Sequence, residues 1–237
     1  MKRIALVAGA TGVLGSAICR ELHAQGLSVA CGYATRQQEA QTLADELGGS
    51  AVELRAGANL AEATRVVGER HGGLDILVNA AGINREGNAL ALSQEEWRCV
   101  LEVNLDFAFS LTQAVLPHML LRRYGRVIHL SSVAGRFGGR GQISYAVSKA
   151  ALERMARAFA LEVGRKGITV NCVAPGVIVS DMTERVRAEH GEELLSRIAC
   201  RRFGEPGEIA KAVAFLAGED AGYINGVVLP VDGGMSL

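Results

Sequence analysis

The stretch Arg3–Gln25 reads RIALVAGATGVLGSAICRELHAQ and decides the fold. Its first part, Arg3–Ala8, is a mostly apolar run of the length typical of a buried parallel strand. The glycine-rich turn Gly9–Gly15 comes next, and Ser16–Gln25 has the periodicity of a helix. Strand, glycine-rich turn and helix in this order predict a phosphate-binding turn. Glycines let the backbone approach a pyrophosphate, and the helix N-terminus offers N–H donors.

Downstream of this unit, strand-like runs alternate with helical patterns to the end of the 237-residue chain. We find no internal repeat, low-complexity tract or linker in it. The alternation predicts one doubly wound α/β domain over residues 1–237, with a parallel sheet and helices on both faces. The expected strands are Arg3–Ala8, Ser28–Tyr33, Ala51–Leu54, Asp75–Val78, Arg126–Leu130, Ile168–Val173 and Val227–Val231.

Composition excludes several classes of function. The 25 basic and 25 acidic residues cancel, so no global field recruits nucleic acid or a membrane. The five cysteines are scattered without a C-x-x-C pair, which predicts neither disulfides nor a metal site and favours a reduced, cytoplasmic compartment. The apolar run Ile4–Ala8 is too short for a signal peptide, and no run approaches the roughly 20 apolar residues of a membrane span.

A second stretch, Ser131–Lys149, reads SSVAGRFGGRGQISYAVSK and carries the residues suited to chemistry. It follows the predicted strand Arg126–Leu130, so its serines are expected at the sheet edge where ligands bind in open α/β folds. Tyr145 and Lys149 are i and i+4 on a predicted helix, Ser144–Val163, and share one face. An adjacent ammonium lowers the pKa of a phenol from roughly 10, so Tyr145 is expected to exchange a proton with a carbonyl or alcohol oxygen.

Two further polar residues belong to this prediction. Ser132 is placed to hydrogen-bond the same substrate oxygen, and no Gly-x-Ser-x-Gly elbow surrounds it, which argues against a hydrolase. Asn104 lies among apolar neighbours in the predicted helix Gln94–Arg123, which Pro117 is expected to kink. A buried amide needs partners, so Asn104 is either a satisfied core asparagine or a helix-kinking proton-relay post near Lys149.

The end of the second predicted strand normally selects the dinucleotide. A carboxylate there binds the ribose 2′-hydroxyl, whereas a basic residue accepts a 2′-phosphate. Here Ser28–Tyr33 leads to Thr35 and Arg36 without an acid, which favours NADPH, although Arg36 also suits a solvated helix start. Asn59 is predicted to open and cap a helix that ends near His71.

Four features now resemble the short-chain dehydrogenase/reductase family in order and spacing. They are the glycine-rich turn, Asn79–Gly82 (NAAG), Ser132 with Tyr145-x-x-x-Lys149, and Pro175-Gly176. Within that family the chain looks most like the β-ketoacyl-[acyl-carrier-protein] reductases. The segments that carry this closer resemblance are Asn79–Arg85, Gly167–Gly176, Ser180–Thr183 and Ile224–Met235.

The resemblance implies a Rossmann-like sheet of about seven strands in the order 3-2-1-4-5-6-7. It also implies a catalytic tetrad in which Tyr145 donates the proton and Ser132 anchors the carbonyl. Lys149 would bind the nicotinamide ribose and Asn104 would hold a relay water. The helices carrying Asn104 and Tyr145 would pack across the interface of a homotetramer. The implied or predicted cofactor contacts are Gly9, Thr11, Gly12, Leu14, Gly15, Thr35, Arg36, Asn59, Asn79, Ala80, Ala81, Gly82, Tyr145, Lys149, Pro175, Gly176, Ile178 and Ser180.

The chain departs from the family pattern at its adenosine end. Val13 stands where the family's middle turn glycine is usual, and a glycine, Gly12, precedes it. The turn also lacks the arginine often used for the 2′-phosphate, which leaves Arg36 as the main candidate. Asn59 replaces an acidic residue, and the segment from Asn59 to Gly72 is shorter than in the family. These departures predict a turn that differs locally or a cofactor that binds less tightly.

The resulting expectation is NADPH-dependent reduction of a 3-oxoacyl-[acyl-carrier-protein], with Val177–Phe203 as a lid over the substrate cleft. Arg123 and Lys166 are candidate docking residues for the acidic carrier, helped by Arg136 and Arg140, unless these are solvated surface charges. One alternative is a polyketide, acetoacetyl-CoA or other short-chain alcohol substrate. A second alternative is a non-catalytic protein that only binds the cofactor.

Overall fold

A computed structural model describes residues 2–237. Within these residues, seven parallel strands form one sheet in the order β3-β2-β1-β4-β5-β6-β7. The predicted doubly wound fold and strand order are therefore confirmed. The strands are β1 (Ile4–Ala8), β2 (Ser28–Tyr33), β3 (Ser50–Glu53), β4 (Ile76–Asn79), β5 (Gly125–Leu130), β6 (Ile168–Pro175) and β7 (Val228–Val231).

Helices cover both faces of the sheet because the side chains of each strand alternate between them. In β1, Ala5 and Val7 join the core on one face, whereas Leu6 and Ala8 join the core on the other. The first core includes residues of α1 (Val13–Ala24) and α9 (Pro206–Ala217), and the second includes residues of α5 (Phe107–Arg122) and α7 (Ile143–Val163). The helices are α1 (Val13–Ala24), α2 (Gln37–Glu46), α3 (Leu60–His71), α4 (Gln94–Leu101), α5 (Phe107–Arg122), α6 (Ala134–Phe137), α7 (Ile143–Val163), α8 (Asp181–Arg197) and α9 (Pro206–Ala217).

Some element bounds differ from the sequence prediction. Helix α1 begins at Val13, not at Ser16, because Gly12 already adopts the extended backbone of a residue that precedes a helix, with φ −75° and ψ 161°. The glycine-rich loop after β5 contains the short helix α6, which the sequence pattern does not predict. Helix α8 is interrupted at His190, whose backbone leaves the helical region.

The long helical stretch Gln94–Arg122 contains an irregular turn at Asn104, one of the two residues at which the sequence predicts a kink. Helix α5 continues through Pro117, whereas a π-helical turn, Glu102–Asp106, separates α4 from α5 and carries Asn104. Extra residues in such a turn shift the side chains that follow, and π turns are frequent at functional sites. The whole stretch of 29 residues is long and apolar enough to cross a membrane, but 44% of its most apolar window is buried inside the protein, as in a core helix.

Candidate active site

The predicted catalytic residues converge at the C-terminal edge of the sheet. Ser131 and Ser132 follow β5 directly, and Asn79 is the last residue of β4. Tyr145 and Lys149 lie in the first two turns of α7, which packs against β6 and against the π-helical turn. This is the edge at which open α/β sheets bind their ligands.

Asn104 is fully buried, and its side chain is saturated with hydrogen bonds. Its Oδ1 accepts from the Ile83 N–H at 2.8 Å, and its Nδ2 donates to the Ile83 carbonyl at 3.0 Å and to Ser148 Oγ at 2.9 Å. Ser148 Oγ donates in turn to the Tyr145 carbonyl at 2.7 Å. Asn104 therefore connects the segment after β4 to the first turns of α7 as a satisfied buried asparagine, and its role in a proton relay stays a prediction.

The phenol of Tyr145 has a higher pKa than the sequence predicts. Burial raises its pKa above the ordinary value, and a hydrogen bond with the Ser132 hydroxyl offsets only part of this effect. The expected depression of the pKa by the Lys149 ammonium is not found in this structure. Tyr145 is accordingly a protonated donor at neutral pH, held next to Ser132.

The position of the Lys149 ammonium is consistent with the absence of an effect on the pKa of Tyr145. Lys149 is 3% exposed, and its Nζ donates to the Leu130 carbonyl at 2.7 Å while lying 5.5 Å from the centre of the Tyr145 ring. Burial lowers the pKa of Lys149 to about 8, and the nearby groups of Cys172 and Glu153 oppose that shift. The lysine is thus positioned beside the phenol but directed toward the strand end.

A buried histidine lies beneath this group. His129 of β5 is fully buried, and its Nε2 is 3.5 Å from Thr112 Oγ1, while its Nδ1 has no hydrogen-bond partner among the described residues. Burial and the Lys149 charge lower the pKa of His129 to about 4, so the imidazole is neutral at neutral pH.

The glycine-rich turn packs directly against the end of β4. A Cβ on Gly9, whose φ is +73°, would lie 2.8 Å from the Ala81 nitrogen and 2.9 Å from the Ala80 carbonyl carbon. A Cβ on Gly15 would collide with the Gly9 carbonyl. Gly12 is different, because a Cβ there would meet only the Gly9 oxygen at 3.4 Å, an ordinary contact. Gly9 and Gly15 are therefore required by the close packing, and Gly12 is not.

The turn has the properties of a dinucleotide site. No side chain caps the N-terminus of α1, so its first N–H groups remain available to a pyrophosphate, as expected beside Thr11 and Leu14. At the end of β4, Asn79 is 1% exposed and its Oδ1 accepts from the Ala81 N–H, but its Nδ2 has no partner among the described residues. An orphaned amide donor beside free helix N–H groups fits a nucleotide with hydroxyl and phosphate oxygens.

The residues predicted to contact the adenosine at the end of β2 and at the N-terminus of α3 are exposed. Thr35 and Arg36 are exposed at the end of β2, and Arg36 Nη1 forms an ion pair with Glu39 Oε2 at 3.0 Å. Asn59 caps α3 as predicted, since its Oδ1 accepts from the Glu62 N–H at 3.2 Å. In the structure Arg36 is therefore paired with a residue of its own helix, and Asn59 acts as a helix cap.

The opposite side of the cleft is formed by the end of β6 and the segment after it. The Pro175 carbonyl accepts from the Val133 N–H at 3.1 Å, which joins this segment to the catalytic loop. A Cβ on Gly176 would lie 2.8 Å from Asp232 Cα, so this position favours glycine. Ile178 is buried, and Ser180 precedes α8 with its Oγ 3.2 Å from Thr183 Oγ1.

Two of the residues predicted to dock the acyl-carrier protein, Arg123 and Lys166, do not lie at the C-terminal edge of the sheet. Arg123 precedes β5 and Lys166 precedes β6, so in a parallel sheet both lie at the edge opposite Ser132. The six residues of β5 alone span about 20 Å at roughly 3.3 Å each. Of the four docking candidates, Arg136 and Arg140 lie on the same side as Ser132 within a single chain, in the segment between β5 and α7.

Sequence reasoning missed two contacts around the cleft. Ser148, one residue before Lys149, supplies a partner to Asn104, and its place on the same helix face as Tyr145 was the available signal. Across the mouth of the cleft, Arg185 of α8 forms an ion pair with Glu86 at 2.7 Å, which joins the segment after β6 to the segment after β4. No short-range pattern connects those two residues.

Comparison with known proteins agrees with this geometry. A family model described as "Enoyl-(Acyl carrier protein) reductase" matches residues 9–236. The chain is 41% identical over 239 residues to "Nodulation protein G" of Rhizobium meliloti, covering 99% of this chain and 97% of that protein. It is 40% identical to "3-oxoacyl-[acyl-carrier-protein] reductase FabG" of Vibrio cholerae, covering 99% and 98%, and of Staphylococcus aureus, covering 100% and 99%.

The identity extends over almost the whole length of this chain and of its relatives. The family match includes both the glycine-rich turn and the segment that carries Tyr145 and Lys149. The seven-stranded parallel sheet formed by residues 2–237 is the architecture expected from that match. The chain therefore belongs to the short-chain dehydrogenase/reductase family, whose oxidoreductases typically use NAD(P).

Proposed function

We propose that the protein reduces a 3-oxoacyl thioester, carried on an acyl-carrier protein, to the 3-hydroxyacyl thioester with NADPH, as in fatty-acid synthesis. The observation that carries the proposal is the placement of Ser132, Tyr145 and Lys149 around one point of the cleft, beside the turn at Gly9. The names of the relatives from Vibrio cholerae and Staphylococcus aureus support the substrate class.

In this reaction the nicotinamide cofactor supplies a hydride to the β-carbon of the substrate. Tyr145 donates the proton to the carbonyl oxygen, which its raised pKa allows because the phenol is protonated at neutral pH. Ser132 Oγ already accepts from the Ala134 N–H at 3.2 Å, so its own proton is available for the same oxygen.

Lys149 and Asn104 support the proton donor. An ammonium has three N–H donors, and one of those of Lys149 is used by the Leu130 carbonyl. The other two are available to the nicotinamide ribose and to the oxygen of Tyr145 as it loses its proton. We assign Asn104 the role of holding a relay water, because it is buried in a π-helical turn and is connected through Ser148 to the backbone of Tyr145.

NADPH is favoured over NADH because no carboxylate follows β2. The segment after Tyr33 presents Thr35 and Arg36, both exposed, and a guanidinium suits a 2′-phosphate. The ion pair of Arg36 with Glu39 is exposed and therefore weak, so a phosphate dianion competes for the arginine.

The segment Val177–Phe203 is proposed to act as a lid over the acyl chain. None of the residues of α8 is buried, which is the pattern of an element that moves. The ion pair between Arg185 and Glu86 crosses the mouth of the cleft and holds α8 toward the segment after β4. Entry of a substrate would require this exposed pair to open, at a cost of about 1 kcal/mol or less.

An acyl-CoA substrate is the second candidate function. The observation that favours it is the position of Arg123 and Lys166, which lie a strand length away from Ser132 within one chain. Docking of a carrier at those residues serves the reaction only if another copy brings its catalytic edge beside them. Arg136 and Arg140, on the catalytic side, are sufficient to bind the phosphates of a free CoA thioester.

A homotetramer is the expected assembly. Large apolar side chains are exposed on the helices that the family resemblance assigns to the interface, including Phe109 and Leu121 of α5 and Leu161 of α7. Leu121 and Leu161 are 87% and 85% exposed in the single chain, which favours a partner covering them. Light scattering after size-exclusion chromatography tests the assembly directly.

The function is tested by following NADPH oxidation with acetoacetyl-CoA and with acetoacetyl-[acyl-carrier protein], using Tyr145→Phe as the control variant. We expect turnover with NADPH, higher kcat/KM for the carrier-bound substrate, and a loss of about a hundredfold or more in the variant. Equal or better use of the CoA thioester would favour the second candidate. NADPH binding without turnover of either thioester would point to a different carbonyl substrate, and the absence of binding would favour the non-catalytic alternative.

A further inference from the structure

Three consecutive residues at the end of β5 each contact α7, two of them through hydrogen bonds. The Leu130 carbonyl accepts from Lys149 Nζ at 2.7 Å, and Ser131 Oγ donates to Glu153 Oε1 at 2.6 Å. The Ser132 hydroxyl lies beside Tyr145, close enough to lower the pKa of its phenol. The partners Tyr145, Lys149 and Glu153 are i, i+4 and i+8, so they follow one another along a single face of the helix.

Two members of this ladder belong to the proposed chemistry, and the middle contact between Ser131 and Glu153 does not. From this geometry we infer that Glu153 is a positioning residue: through Ser131 it keeps the strand end in register with α7 and thereby positions Lys149 and Ser132. The inference rests on the proposed reductase function. It assigns a role to a carboxylate that touches neither the substrate nor the cofactor.

The hydrogen bond from Ser131 to Glu153 is short and involves a charged acceptor. Ser131 is 4% exposed, and its only other acceptor among the described residues is the Lys149 carbonyl at 3.5 Å, which is long for a hydroxyl donor. A short hydrogen bond to a carboxylate is charge-assisted and about twice as strong as a neutral one. Glu153 therefore fixes the rotamer of Ser131 and, with it, the backbone between Leu130 and Ser132.

Glu153 also acts on Lys149 through its charge. The groups that face the ammonium are Tyr145 and Glu153 from α7, His129 from β5 and Cys172 from β6. His129 has a pKa of about 4 and Cys172 one of about 12, so both are neutral near pH 8, where Lys149 titrates. Among these groups Glu153 is the anion that favours the ammonium at that pH.

The other side of Glu153 faces a cavity of about 440 Å³, which contains no competing carboxylate among its lining residues within residues 2–237. Arg154 and Arg157 of the same helix line this cavity, together with Ser132. Glu153 thus lines the cavity while its Oε1 accepts a hydrogen bond from Ser131 Oγ. Because Glu153 lines this cavity and is only partly buried, we expect its substitution to leave the hydrophobic core intact.

The test compares Glu153→Gln, which keeps an acceptor for Ser131, with Glu153→Leu, which removes it. Glu162→Gln is the matched control, since Glu162 is an exposed glutamate near the end of the same helix. We expect Glu153→Leu to lower kcat about tenfold while KM for the thioester changes less than about threefold. Glu153→Gln should recover most of the kcat, and Glu162→Gln should match the unmodified protein.

The pH profile separates the charge of Glu153 from its hydrogen bond. The ammonium of Lys149 exists below its pKa, so activity and NADPH binding should fall as pH rises through about 8. Without the carboxylate the ammonium is less favoured, so this fall should begin about half a pH unit lower in both Glu153→Gln and Glu153→Leu. The control variant should keep the original profile.

Ser131→Ala supplies a second route to the same contact and covers the case in which Glu153→Leu folds poorly. The effects of Ser131→Ala and Glu153→Leu on kcat should not add in the double variant, because each removes the same hydrogen bond. Additive effects, or an unchanged kcat and pH profile in all Glu153 variants, would overturn the inference. If the unmodified protein binds NADPH but reduces no thioester, the proposed function has failed, and the pH dependence of NADPH binding in these variants still decides the role of Glu153.

Discussion

The two ends of the proposed cofactor cleft are built in different ways. At the nicotinamide end, Asn104 is hydrogen-bonded through Ser148 to the Tyr145 carbonyl, and Lys149 donates to the Leu130 carbonyl, so α7 is connected to both the π-helical turn and β5. At the adenosine end, Arg36 is exposed and pairs with a neighbour on its own helix, and Asn59 is exposed and caps a helix. Each adenosine-end residue is satisfied locally, within a few positions along the chain.

This difference separates what the fold holds rigidly from what it leaves adjustable. A buried network fixes geometry because any change leaves polar groups without partners. Exposed, locally satisfied residues can change without disturbing the core, and the departures from the family pattern at Val13 and Asn59 fall in that region. We therefore expect substitutions at the adenosine end to change cofactor affinity and preference while the reaction itself is retained.

The two asparagines provide the largest contrast. Asn104→Ala removes the partners of both the N–H and the carbonyl of Ile83, and also that of Ser148, so it should destabilise the protein by about 3 kcal/mol. Asn59→Ala removes one helix cap and should cost about 1 kcal/mol. Urea denaturation of both variants measures the difference. Equal losses would mean that the nicotinamide end is no more tightly held than the adenosine end.

His129 makes the nicotinamide end sensitive to acid. Its pKa is about 4 in the folded protein against 6.5 when unfolded, so between these values the unfolded chain binds more protons and stability falls as pH decreases. From pH 7 to pH 5 this histidine should cost about 2 kcal/mol. In urea denaturation, the free energy of unfolding of His129→Leu should therefore fall by about 2 kcal/mol less between pH 7 and pH 5 than that of the unmodified protein. His190→Gln, at an exposed position on α8, should keep the full loss.

The sequence predicts the fold and the catalytic face for simple physical reasons. Strand and helix periods are visible in the apolar pattern, and i and i+4 spacing alone places Tyr145 and Lys149 together. The pKa of Tyr145 was predicted in the wrong direction because burial depends on packing from distant elements, and because Lys149 bonds to the Leu130 carbonyl. The π-helical turn at Asn104 leaves no trace in the apolar period.

The docking residues illustrate a different kind of error. Arg123 and Lys166 precede β5 and β6, and residues that precede parallel strands lie at the edge opposite the active site. That conclusion follows from the strand pattern of the sequence and needs no structure. By contrast, the ion pairs of Arg36 with Glu39 and of Arg185 with Glu86 depend on rotamers and on tertiary approach, which the pattern does not encode.

Arg36 tests whether the adenosine end selects the cofactor. Arg36→Ala should raise KM for NADPH about tenfold and leave KM for NADH unchanged, because only NADPH carries the 2′-phosphate that a guanidinium binds. Arg20→Ala is the matched control, since Arg20 is also an exposed arginine in an ion pair, with Glu46. Steady-state kinetics with both cofactors measures the ratio. An unchanged ratio in Arg36→Ala would remove Arg36 from the cofactor site.

Glu39 should produce the smallest effect, in the opposite direction. The carboxylate holds Arg36 at 3.0 Å in the absence of cofactor, and a bound 2′-phosphate would share or displace it. An exposed ion pair is worth about 1 kcal/mol or less, so Glu39→Gln should lower KM for NADPH by about fivefold at most and leave NADH unaffected. The gain should shrink at high salt, because screening weakens both the pair and the phosphate contact. A rise in KM for NADPH would instead mean that Glu39 orients Arg36 toward the phosphate, and the adenosine end would then be as organised as the nicotinamide end.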